Sequence, residues 1–222
     1  MATDERIAAS AEGGKPRTRQ SWDWIPPLTG IAFVVLSVAG FLVVGEPKDA
    51  SHSPEEIVDW YTSNTNSIQA GAFIVAFAAV MLVFFAGYLR KILHAAEGEN
   101  GALSLISFAG AVVIAVGAAL DTTILLATAE RVDDISPESV QTLQALGDND
   151  YIPIAAGTLI FVWATGVSIL RHGALNRWFG WALIVLGVLA LTPLGLIAFL
   201  GTGLWILVLS VMLLLRGDPT AP

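Results

Sequence analysis

A single carboxylic acid, Asp121, lies inside the long apolar run Ala102–Ala129. An acid at the centre of a membrane helix costs about 2.5–3.5 kcal/mol on insertion scales, so such groups tend to be retained for a reason. Asp121 stands nearer one end of its run, which lowers that cost. No Lys, Arg or His occurs within any apolar run of the chain. With no cation in reach, the carboxyl is expected to be protonated and to donate to a carbonyl, to water, or to a hydroxyl such as Thr158 or Thr165. Two chemistries are open to it: a group that responds to protons or cations, or a neutral acid that joins helices. The second asks for fewer assumptions.

The chemistry missing from the sequence narrows the field further. A retinal Schiff base needs a lysine within a span, and none is there. Haem held between membrane helices needs histidines at depth, but His52, His94 and His172 fall in connections or at helix ends. His94 and His172 could meet at one membrane face, yet two histidines without a third ligand make a poor metal site. An intramembrane aspartyl protease needs two buried aspartates. The motif H-E-x-x-H, a Walker loop and a dinucleotide glycine turn are all absent. The chain has no cysteine, which excludes disulfides, thiolate nucleophiles and cysteine metal sites. No catalytic, cofactor-binding or metal-ligating residue is therefore assigned, and an enzyme is not expected. Trp163 and Trp205, inside spans, offer walls for a ligand cavity, although packing is the commoner use of a tryptophan there.

The elements that must position Asp121 follow from composition and periodicity. Of the 222 residues 55% are hydrophobic and only 14% charged, against about 25% charged in soluble domains. Mean hydropathy is +0.70. An all-α polytopic transmembrane bundle is expected, with spans near 28–45, 67–89, 102–129, 151–170, 179–194 and 200–215, since about 20 apolar residues cross the hydrocarbon core. Within Ala102–Ala129, a 100° step places Ser107, Gly110, Ile114, Gly117, Ala118, Asp121, Leu125 and Thr128 on one face. Leu105, Val112, Val116 and Leu120 occupy the other. The small-residue face should meet neighbouring helices and the Leu/Val face should meet lipid.

Met1–Pro27 reads as a disordered cytoplasmic tail, residues 28–216 as one transmembrane domain, and 217–222 as a C-terminal tail. Ser53-Pro54-Glu55 and Ser136-Pro137-Glu138 each signal a helix start, with a serine cap and proline in the first turn. Two short surface helices are expected, one about 54–63 and one closed by Gly147. Phe179–Leu215 is too long for one span, and a hairpin turning between Thr192 and Gly203 is expected, with a single kinked fifth helix as the alternative.

Charge sets the orientation. Nine of the eleven basic residues fall in the tail or in Arg90, Lys91, Arg171, Arg177 and Arg216, leaving only Lys48 and Arg131 on the other side. By the positive-inside bias both termini should be cytoplasmic in the cell membrane. The connections 46–66 (five carboxylates, one lysine) and 130–150 (six carboxylates, one arginine) should lie outside. The two serine-capped segments also hint at a repeat: a helix, an acidic connection, a helix, then a basic exit, twice in the same direction.

Two motifs carry a resemblance: Arg177-Trp178-Phe179-Gly180-Trp181 opening a hairpin that ends Leu213-Leu214-Leu215-Arg216, and Glu55-Glu56-Ile57-Val58-Asp59-Trp60-Tyr61 after the first span. In these the chain resembles uncharacterised bacterial six-helix multi-pass membrane proteins. That resemblance implies the architecture and brings no activity with it. The functional expectation is a non-enzymatic accessory, scaffolding or binding component. Its partners would be the lipid bilayer and a second copy or another membrane protein, with no cofactor and no nucleic acid. A small proton- or cation-coupled transporter or channel using Asp121 is the alternative.

Overall fold

Each apolar run is helical in the computed structural model, which describes residues 24–192 and 195–216. Seven α-helices and no strand occur among the described residues: α1 (Ile25–Val44), α2 (Pro54–Glu97), α3 (Ala102–Arg131), α4 (Pro137–Gly147), α5 (Ile152–His172), α6 (Arg177–Ala190) and α7 (Gly195–Arg216). Of the expected tails, 1–27 and 217–222, residues 1–23 and 217–222 lie outside the described residues. Pro26 and Pro27 do not precede the first span but sit in the first turn of α1, where a missing N–H leaves no bond unmade.

Five helices, α1, α2, α3, α5 and α7, are long and apolar enough to cross a bilayer. A further apolar helix, α6, has 14 residues and is about 21 Å long. The fold is thus the expected all-α bundle, with one short member. Neighbours in the ring run α1–α2–α3–α5–α6–α7, and α7 returns to α1 to close it. Gly30 near the start of α1 faces Ser210 near the end of α7, so the first and last helices begin and finish at the same end. Arg90, Lys91, Arg171 and Arg177 make that the basic end of the bundle. The opposite, acidic end carries the loop 45–53, helix α4 and their carboxylates.

The ring is filled. Phe85, Leu89, Phe161, Ile169, Leu183 and Leu209 are fully buried in one apolar cluster at its centre. Close approach rather than bulk sets the helix crossings. A methyl on Gly110 would lie 2.5 Å from Phe161 N, and one on Gly157 would lie 2.7 Å from Ile114 N. Helices α3 and α5 therefore meet backbone to backbone, as small-residue packing in lipid requires. Gly40 and Gly71 do the same for α1 and α2.

One expectation needs correction. The short helix expected at 54–63 is not a separate element: it is the first part of α2. That helix runs 44 residues without a break, about 66 Å. Asn64 and Thr65, which read as a polar break, instead hydrogen-bond the carbonyls of Trp60 (2.8 Å) and Tyr61 (2.9 Å) one turn back, so the helix passes through them. The hairpin expected over Phe179–Leu215 is present and turns at the early limit of the expected range, at Leu191–Thr192, with Gly201 and Gly203 within α7. Gly201 breaks nothing; it makes room for the Leu186 side chain of α6.

The short α6 leaves one flank of the bundle thin. Gly187 lies under the Trp163 ring of α5, so α6 ends roughly level with Ile160. Helix α5 continues about two more turns, roughly 12 Å, towards the acidic end. On this flank the acidic half of the bundle has no α6 beside it.

Candidate functional site

The acidic end is built by two helix starts of the same design. Ser53 Oγ accepts from Glu56 N, and Glu56 Oε2 in turn accepts from Ser53 N (3.1 Å), a reciprocal cap. Ser136 Oγ accepts from Ser139 N in the same way. Each helix then presents a fully buried aliphatic residue one turn in, Ile57 and Val140, which share a small core with Ala129 and Val132. One turn further on, Tyr61 and Gln144 meet directly. The Tyr61 hydroxyl donates to Gln144 Oε1 at 2.7 Å across 83 residues of sequence. That separation equals the one between Ser53 and Ser136. Equivalent positions of the two segments therefore touch, as expected of a repeat whose axis passes between them.

From Gln144 the network continues. Its Nε2 donates to Asp148 Oδ1 at 2.8 Å, and Asp148 Oδ2 accepts from Ala50 N at 2.8 Å. Gln141 Nε2 donates to the carbonyls of Ala50 and His52. These bonds stitch the loop 45–53 onto α4. Within that loop Asp49 accepts from Ser51 N and Oγ, which hold its carboxyl below the usual carboxylate range. Tyr61 also lies within hydrogen-bonding reach of the Thr128 side chain on α3.

Beneath this lid is a cavity of about 240 Å³, lined by Tyr61, Asp121, Gln144 and Asp148 and walled by apolar residues such as Phe41 and Val75. The charged groups on its wall are both carboxylates. Asp121 sits on α3 at the floor, half-buried, and the carboxyl of Asp150 comes within hydrogen-bonding reach of it. Asp150 lies in the turn between α4 and α5, outside the spanning helix, where burial raises its pKa. Its Oδ2 is closed off from solvent and receives no N–H or O–H donor. Two carboxyls in this position bond to each other only when one of them holds a proton. Among the described residues no three His, Cys, Asp or Glu side chains form a metal-ligand group.

Two further spaces adjoin the first. A neck of about 40 Å³ shares Asp121, Phe41 and Val75 with it and runs on to Phe33, Ser37 and Phe199. The neck shares Phe33, Ser37, Leu82, Ile114 and Phe199 with an almost wholly apolar cleft of about 120 Å³ between α1 and α7. These spaces end at Leu82 and Ile206, against the filled core.

Thr158 and Thr165, offered as partners of Asp121, lie elsewhere, and Trp163 and Trp205, candidate neighbours and cavity walls, are used in packing, the commoner role expected of them. Thr158 Oγ1 donates to Ile154 O, and its side chain lines the apolar cleft. Thr165 hydroxyl-bonds Ser107 at 2.6 Å in the core. Trp163 packs over Gly187. Trp205 donates Nε1–H to Phe179 O at 3.1 Å and stacks edge-on against Phe161 and Phe179. The reason is depth. Gly117 on α3 abuts Pro153 and Ile154 at the start of α5, so Asp121, one turn further out, is level with the turn at Asp150. Sequence reasoning passed over Gln144, Asp148 and Asp150. The spacing between the two serine caps held the available signal, since it pairs position 61 with position 144.

No family model, no curated protein and no solved structure matches the chain.

Proposed function

We propose that the protein is a non-enzymatic integral membrane protein of the cell membrane that binds a small hydrogen-bond-donating or cationic ligand at its acidic end and does not conduct it. One observation carries this reading: a polar, carboxyl-lined cavity stands directly above a core filled by Phe85, Phe161 and Leu209. Convergent polar groups in a mostly apolar cavity are the usual form of a small-molecule site. In this reading the basic end is cytoplasmic and the acidic end external, in line with the distribution of Lys and Arg.

Orientation has a direct test, because a chain without native cysteine reports an introduced one without background. Asn149→Cys is expected to react with a membrane-impermeant maleimide on intact cells, and His172→Cys only after lysis. The reverse pattern would sink the orientation.

Binding is tested with the full chain in nanodiscs. Millimolar n-butylamine is expected to raise the unfolding temperature of the wild type, and Asp121→Asn, which keeps the shape and replaces the carboxyl with an amide, is expected to abolish that rise. The alternative, a coupled transporter with Asp121 as its acid, draws on that residue lining both the cavity and the neck. Purified protein in liposomes that moved protons or amine down a gradient, with the movement lost in Asp121→Asn, would replace the binding reading with that one.

A further inference from the structure

The acid-lined cavity, the neck and the α1–α7 cleft adjoin in series, each sharing wall residues with the next, and the character of the walls changes along the series. At the acidic end its charged wall groups are Asp121 and Asp148, with no basic residue beside them. Past Asp121 the walls become Phe33, Leu82, Ile114 and Phe199. At the cleft the rim is Val38, Leu200 and Leu204, all more than half exposed on a surface that spanning helices turn towards lipid. Phe41 borders all three spaces. A polar chamber, a narrow space beside it and an apolar slot at membrane depth, lying in series, together have the outline of an amphiphile.

Resting on the binding reading, we infer that the ligand is a single-chain amphiphile with an amine head, taken from the surrounding bilayer. Its ammonium sits against Asp121 in the acidic chamber, and its chain leaves through the neck into the cleft between α1 and α7. Charge complementarity selects the head, because a phosphate would face two carboxylates with no cation to offset them. Volume selects the chain: a neck of about 40 Å³ and a cleft of about 120 Å³ admit one chain rather than two.

Gly203 gives a clean way to close the slot. It lines the cleft, and a side-chain carbon added to it meets no protein atom within 4 Å. Gly203→Leu therefore fills the cleft without disturbing the fold, in a helix that leucine suits better than glycine. The test is equilibrium binding of radiolabelled dodecylamine to the full chain in phosphatidylcholine nanodiscs, with empty discs subtracted. Competition with n-butylamine and with dodecyl phosphate supplies the other arms. Wild type is expected to bind dodecylamine at least tenfold more tightly than butylamine and to ignore dodecyl phosphate. Gly203→Leu should weaken dodecylamine about tenfold and leave butylamine unchanged, while Asp121→Asn should weaken both. Equal binding of the two amines, or dodecylamine binding that Gly203→Leu leaves untouched, overturns the inference and leaves the head-group site standing. Effective competition by dodecyl phosphate overturns the assignment of the head. Failure of either amine to bind removes the binding reading and this inference with it.

Discussion

Gly157→Leu is expected to prevent the bundle from assembling. A carbon placed on Gly157 would lie 2.7 Å from Ile114 N, 2.8 Å from Gly110 O and 2.9 Å from Ile114 Cγ1. Two of those three atoms belong to the backbone of α3 and cannot rotate away. Overpacking a core costs about 1–3 kcal/mol where side chains can shift, and here the helices themselves would have to part. Asp121 and Pro153–Ile154 are held in register by the same interface, so the chamber floor should be lost together with stability. The comparison is Gly87→Leu, where the nearest atom to an added carbon is the edge of the Phe108 ring at 4.0 Å. Unfolding of the two variants in detergent, followed by circular dichroism, checks this. Similar midpoints for both would mean that the α3–α5 contact does not hold the bundle together.

The second large effect belongs to the basic end. Glu97 closes α2, and its carboxylate serves two other helices: Oε2 accepts from Ser104 N at the start of α3 (3.1 Å), and Oε1 accepts from the Ser168 hydroxyl on α5. Both serines are fully buried. Hydrogen bonds to a charged group contribute about 1.5–3 kcal/mol each, and removing the acceptor leaves the buried donors without partners. Glu97→Ala is expected to lower stability by about 3 kcal/mol. Glu97→Gln, which keeps one carbonyl oxygen, should lose about half of that. Denaturant titration of the purified variants measures both. An alanine variant as stable as wild type would reduce Glu97 to a surface residue.

How far the sequence could be read depended on whether a feature belonged to one helix or to several. The face of α3 was legible because periodicity alone decides it. Ser107, Gly110, Ile114 and Gly117 are buried, while Leu105, Val116 and Leu120 are exposed. The two serine-proline helix starts were legible for the same reason. Relative depth was not, since the level of Asp121 against α5 is set by the Gly117–Ile154 contact between helices. That contact brings Asp150 to Asp121 and keeps Thr158 and Thr165 away. The continuity of α2 was missed because Asn64 and Thr65 are polar, and polar residues after a short helix read as its end. Their bonds to carbonyls one turn back keep them helical. Glu97 carried no local signal at all, since its role exists only once three helices have met.

The length of α6 has a consequence for the membrane itself. A wall about 21 Å tall stands beside partners of about 30 Å or more, in a hydrocarbon layer of about 30 Å. Such hydrophobic mismatch is relieved by thinning the leaflets locally, at fractions of a kcal/mol per ångström. Lipid around this protein should therefore form an uneven annulus, pinched along the α6 flank and relaxed elsewhere.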